Sequence, residues 1–262
     1  MDIIVLNMGQ TVVMHLCKLS AIILILLSAG CTVTPDDLSD NSSIEEISLL
    51  AQKAKNREDF NEAGDFYMEI DRFYPYSNES RWALVEAIKS YHKGTDLSNA
   101  RLSAKRYLSL YADGPEAAFA QYMVGLSFFD AIVDVRRDQG AALHAVEEFR
   151  RLDSIYPDSL YSDLADEKLK IAYSQLAGQE MSVGRYYMNR EEYLAAINRF
   201  TTVVDDYTYS IFAVEAFFRL TEAYIALGMI NLAKENNSVF TRKFPNSEWS
   251  DKSNKLINGL NL

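Results

Sequence analysis

From Ile44 onward the apolar positions recur at helical spacing, and turn marks cut them into segments of similar length. Ile47, Leu50, Ala51 and Ala54 share one face. After a polar break, Ala63, Tyr67 and Ile70 share another, and Pro75 follows. Spacing of three and four residues predicts amphipathic helices rather than strands, whose period is two. Ser43 with Glu46 has the form of a capping box at the first helix start. Three prolines follow an aromatic residue, in "YPYS" (74–77), "YPDS" (156–159) and "FPNS" (244–247), and "YTYS" (207–210) is a copy without its proline. Each mark predicts a helix end, because proline lacks an N–H and biases the preceding residue away from helical angles. The serine of each mark is placed to cap the helix that follows.

Between the marks the chain fits a 34-residue helix–turn–helix template. The first unit places Ile47, Leu50, Ala51, Ala54, Ala63, Tyr67, Ile70 and Pro75 on its marks. The second has Leu84, Ala87, Tyr91, Ala100 and Pro115, with extra residues expected in its second helix. The third has Gly125, Phe128, Ala145, Phe149, Leu152 and Pro157, with an expansion between its helices. The fourth has Gly184, Tyr187, Ala196, Phe200 and Val203, with Thr208 where proline is expected. An insertion of helical periodicity precedes it, so its first helix is predicted to run from about Ser162 to Tyr187. The fifth has Phe217, Leu220, Thr221, Tyr224, Ala233, Phe240 and Pro245. The units are expected at about 44–77, 78–117, 118–159, 160–210 and 211–247, with a closing helix over 248–262 carrying Trp249, Leu256, Ile257 and Leu260. Small residues let the two helices of a unit approach, and large ones fill the space between units. No unit buries its face alone, so the predicted fold is all-α: five tetratricopeptide-like repeats stacked as a solenoid with a concave groove and a C-terminal cap.

The first residues carry no such pattern. "KLSAIILILLSAGC" (18–31) has one basic residue, an apolar run and small residues before Cys31. That is the layout of a secretory signal over 1–30, and its apolar run is too short for a permanent span. The preceding stretch holds an acid and no base, and a true start at Met14 would give a signal of ordinary form. "SAG" before Cys31 is similar to a bacterial lipobox, with Ser28 where that pattern prefers Leu. Lipidation of Cys31 is the expectation, and a conventional signal with an incidental cysteine is the alternative. "TVTPDDLSDNSS" (32–43) is polar and reads as a flexible tether.

The formal net charge of −11 argues against general binding to nucleic-acid phosphate, which needs a basic face. Cys17 and Cys31, the two cysteines, leave no disulfide framework for the repeats. After the signal only His92 and His144 remain, on different units, and no metal, phosphate-loop or nucleophile motif occurs. The sequence therefore implies no enzyme and no cofactor. Adjacent Glu191 and Glu192 point in different directions and read as a solvated turn, not an acid–base pair. Most tyrosines sit on template positions and read as packing. Tyr74, Tyr76, Tyr186 and Tyr209 are not explained that way.

"LAGQEMSVGRYYMNREEYLAAINRF" (176–200), with "YPYS" (74–77) and "DVRRDQ" (134–139), resembles the BamD family, tetratricopeptide lipoproteins of the outer-membrane β-barrel assembly machinery, in its α-proteobacterial form. The resemblance covers the chain from Cys31 onward and implies a scaffold on the periplasmic face of the outer membrane, anchored by lipid. It implies docking of the later repeats on the periplasmic domains of the insertase BamA. It also implies contacts with other assembly lipoproteins, and reception of the aromatic-ended signal of unfolded barrel precursors by the early repeats. A partner-contacting arginine of the family falls here on Arg199, in the pair Asn198–Arg199. Arg199 adjoins Phe200 and so points away from the core, and the plain alternative is a surface pair with a neighbour such as Glu192. Arg185 and Tyr186 join the expected partner site. Tyr74, Tyr76 and Tyr91, near the seam of the first two units, are the expected groove for extended peptides. A Tol-associated cell-division coordinator is the rival scaffold, but that family adds a coiled coil before three repeats, and no sustained heptad precedes Ile44.

Overall fold

The computed structural model describes residues 33–39, 41–133 and 138–260. The expected signal, Cys31 and residues 134–137 of the charged third-unit loop lie outside them. Eleven α-helices and no strand occur among the described residues. The first unit pairs α1 (Ile44–Asn56) with α2 (Phe60–Phe73), and the second pairs α3 (Asn78–Lys93) with α4 (Leu97–Leu110). The third pairs α5 (Ala117–Phe129) with α6 (Gly140–Ile155), the fourth α7 (Leu160–Asn189) with α8 (Tyr193–Asp206), and the fifth α9 (Ala213–Ala226) with α10 (Ile230–Lys243). The closing helix is α11 (Glu248–Asn258).

Each helix packs on its neighbours in sequence, as a solenoid requires. The first helices also touch one another across units, α3 on α5, α5 on α7, α7 on α9 and α9 on α11. The row with these extra contacts is the inner side of the curvature, so first helices line the concave face. Close approach within a unit depends on glycine. A Cβ on Gly125 would sit 2.5 Å from the Phe149 ring, and one on Gly184 would sit 2.5 Å from the Phe200 ring.

The turns within the first, second, fourth and fifth units share one device. Glu58, Thr95, Glu191 and Gly228 take φ between 60° and 71°. The next N–H then reaches back over the helix end, Asp59 to the Ala54 carbonyl, Asp96 to Tyr91, Glu192 to Tyr187 and Met229 to Tyr224. This closes orphan carbonyls in the manner of a left-handed helix cap. Glu191 is thus a turn residue by backbone geometry, and Glu192 pairs with Arg190 at 2.8 Å.

Some details depart from the sequence reading. α4 has 14 residues, the same as α2, α8 and α10. The extra length of the second unit goes into a longer α3 and the turn from Tyr111 to Glu116, because Tyr111 caps α4 as Tyr74 caps α2. Of the four marks, Ser77 and Ser159 cap the next helix by accepting from Ser80 and Ser162 backbone N–H groups. Ser247 sits at the cap position without a side-chain bond, and Ser210 is buried before a helix that starts at Ala213. The tether is ordered at its end. Pro35–Asp37 forms a 3-10 turn, Leu38 packs on the first unit's core, and the Tyr74 hydroxyl donates to the Ser42 carbonyl at 2.8 Å.

Candidate functional site

The fourth unit is built from the longest helix outward. α7 runs for 30 residues, and Gly178 does not break it. Its last turns bury Met181 and Gly184 against α8, which buries Ala196, Ile197, Phe200 and Val203. That buried face fixes the rotation of α8, so Asn198 and Arg199, between Ile197 and Phe200, face solvent. The Arg199 side chain is 45% exposed, and its Nη1 donates to Glu180 Oε2 on α7 at 3.1 Å. Glu192, the neighbour expected from sequence, is not its partner. Asn198 is exposed, and its backbone carbonyl accepts from the Thr202 hydroxyl.

Arg185 and Tyr186 have other environments. Arg185 makes a two-pronged pair with Glu215 on α9, Nε to Oε1 at 2.9 Å and Nη2 to Oε2 at 2.6 Å. Glu215 also accepts from Arg219 at 3.4 Å, and Arg219 donates to Glu222 at 2.7 Å. This ladder ties α7 to α9 along the concave face, so the fork of Arg185 is already occupied. Tyr186 is 57% exposed, meets Tyr187 edge-on, and lies under the Arg190 guanidinium. Of the four residues expected to contact a partner, Tyr186, Asn198 and Arg199 remain open to one.

The Arg185 fork holds the Glu215 carboxyl below its ordinary 4.5, against the opposing effect of burial. Its stabilising effect is complete above that ordinary value and is lost as pH falls through the lowered one. Glu215→Gln should cost on the order of 1 kcal/mol at neutral pH, since Arg185 is partly solvated. The stabilities of the two proteins should converge as pH falls below the ordinary carboxylate value of 4.5. A constant gap across that range would exclude this account.

The early groove is smaller than the sequence suggested. Tyr91 is 4% exposed. Its ring packs over Gly64, where an added Cβ would meet it at 2.7 Å. Its hydroxyl donates to Asp65 at 2.7 Å. Burial first, then the Asp65 carboxylate, push its phenol pKa far above the ordinary range. Tyr91 is therefore a core residue and not a groove residue: its template position faces α2. Tyr74 is half-buried and braces the tether. Tyr76 alone is open, at 76% exposure. The sequence reading missed Trp82 on α3, which is 46% exposed and edge-on to Tyr67 at 5.4 Å. It also missed Phe119, Tyr122 and Tyr161, which bridge α5 and α7 at 5.6 Å. The available signal was a large aromatic residue off the template marks.

Among the described residues no cluster of His, Cys, Asp or Glu could hold a metal ion, and no helix is long and apolar enough to cross a membrane. Residues 41–239 match the family model of the YfiO outer membrane lipoprotein. A relative in Caulobacter vibrioides, outer membrane protein assembly factor BamD, is 32% identical over 93% of this chain and 81% of its own. The protein of that name in Rickettsia prowazekii is 27% identical over 93% of this chain and 98% of its own. A solved structure of kinesin light chain TPR-like repeats from Podosopora anserina aligns with a TM-score of 0.39 at 15% identity, covering 80% of this chain and all of that one. With most of the repeat region inside the family model and relatives aligned along nearly the whole length, the chain belongs to the YfiO/BamD family of outer membrane lipoproteins.

Proposed function

We propose that this protein is a non-enzymatic scaffold of the outer-membrane β-barrel assembly machinery, held on the periplasmic face of the outer membrane by lipid on Cys31. Its later repeats dock on the periplasmic domains of a BamA-type insertase, with Arg199, Asn198 and Tyr186 in the contact. Arg185 supports that surface by holding α7 to α9. Its early repeats, through Tyr76 and the neighbouring Trp82, receive extended segments of unfolded barrel precursors. Other lipoproteins of the complex complete the assembly.

The observation that carries the docking reading is the state of Arg199. It stands on a helix whose rotation is fixed by buried Phe200, with its guanidinium steadied by one bond to Glu180 and otherwise in solvent. A guanidinium held this way has donors free for a partner carboxylate and loses little freedom on binding. Arg199→Ala should weaken binding to purified insertase periplasmic domains about tenfold or more. The circular dichroism spectrum and Tm should stay near those of the parent, because an exposed pair contributes little to stability. Equal affinity of the two proteins, measured by calorimetry, would remove Arg199 from the contact.

A further inference from the structure

The first half of α7 has a face that packing leaves uncovered. Ala165, Ala172, Tyr173 and Leu176 are buried and Leu169 is half-buried, all on the side that meets α5, α6 and the following turn. With 3.6 residues per turn, the opposite side carries Leu160, Leu164, Glu167 and Ile171. A solvent face is ordinarily polar, yet here the three aliphatic residues are 68%, 44% and 48% exposed. Ile211 lengthens the stripe. It is 73% exposed, and its N–H donates to the Ser174 hydroxyl one turn beyond Ile171. From Leu160 to Ile171 the stripe runs straight for about 16 Å. It lies on the free side of a first helix, which is the concave side of the solenoid.

Acidic groups border it on one flank. Asp163 and Glu167 are exposed, one turn apart, and have no ion pair. On the other flank Lys168 lies over the Phe129 ring, 4.9 Å from its centre. Lys170, exposed on the acidic flank, lines a cleft with Arg150, Asp153, Asp166 and Tyr209. The exposed aliphatic residues of the stripe recur at helical spacing along a straight helix. A helix satisfies its own backbone groups and presents side chains every three to four residues. We propose that the concave face of α7 seats an amphipathic helix of a partner protein. Its aliphatic residues lie on Leu160, Leu164 and Ile171, and its Lys or Arg residues meet Asp163 and Glu167.

This site involves neither Arg199 nor α8, so it stands or falls apart from the docking contact above. The test places a photo-crosslinking amino acid at Leu164 or Ile171 of the full chain in intact cells, with Lys234 on the far side of α10 as the control position. The linked peptide is sequenced by mass spectrometry. Crosslinks from both positions should reach one segment of one partner, apolar at every third or fourth residue, with Lys or Arg beside those residues. The yield should fall at least tenfold when Asp163→Lys and Glu167→Lys are combined. No crosslink, crosslinks only to lipid or to a second copy of this chain, a target without helical spacing, or a yield unmoved by charge reversal would each overturn the proposal. The triple variant Leu160→Ser, Leu164→Ser, Ile171→Ser should melt within about 3 °C of the parent, as exposed substitutions do. A much larger drop would mean that the stripe is core.

Discussion

Phe200→Ala should lower the unfolding free energy by about 3–5 kcal/mol. The ring is fully buried within a cluster that includes Ala177 and Met181 of α7, Ala196 and Val203 of α8, and Ala216 and Leu220 of α9. It also lies against Gly184 so closely that a Cβ there would meet it at 2.5 Å. Removing the ring forfeits its transfer free energy and leaves a cavity, and rigid helices on three sides limit collapse into it. Because a solenoid unit is held by its nearest neighbours, the loss should be local first. Amide hydrogen exchange should rise in the second half of α7, in α8 and in α9, while α1 and α2 stay protected. Urea unfolding followed at 222 nm gives the total. A uniform rise in exchange along the chain would mean that the five units unfold as one, contrary to this expectation.

Asp71→Ala should cost about 2 kcal/mol in the first two units. Asp71 is 4% exposed and sits where α2, α3 and α4 meet. It accepts from the Ser80 hydroxyl at 2.6 Å and from Arg106 Nε at 3.0 Å. The same Ser80 oxygen is 3.2 Å from the Tyr111 hydroxyl, which donates to the Ser77 carbonyl at 3.3 Å. Alanine leaves the fully buried Ser80 hydroxyl without its acceptor and the Arg106 cation without its counter-charge. Arg106 is 41% exposed and turns to water at modest cost, which keeps the effect below that of a fully buried pair. Arg106→Ala alone should therefore be the milder change, and Asp71→Ala with Arg106→Ala together should cost less than the sum of the two. Additive losses in a double-mutant cycle would show that Asp71 and Arg106 are not coupled.

The repeats were legible because their marks are local. A helix end needs proline or a left-handed residue, and a close helix pair needs glycine or alanine, and both requirements are written in single positions. Gly125 and Gly184, read from spacing as small template residues, each lie under the ring of the phenylalanine predicted to fill their unit, Phe149 and Phe200. The long α7 was equally legible, since helical periodicity without a breaker needs no tertiary information. Its predicted limits, Ser162 and Tyr187, fall two residues inside the observed Leu160 and Asn189.

The site residues were less legible. Tyr91 looked like a groove aromatic and is core, because a tyrosine on a template position can satisfy its hydroxyl with a carboxylate on the neighbouring helix, here Asp65. Arg185 looked free and is held by Glu215, 30 residues away in sequence. Arg199 was placed correctly in solvent, by its position beside Phe200, but its partner Glu180 lies 19 residues back on the adjacent helix. The sequence by itself determined the helices, their order, their packing faces and the family to which they belong, because hydrophobic period and turn chemistry act within one or two turns. Only the tertiary structure decided which charged and aromatic groups are occupied and which are open. Those pairings form across helices, where separation along the chain says nothing about separation in space.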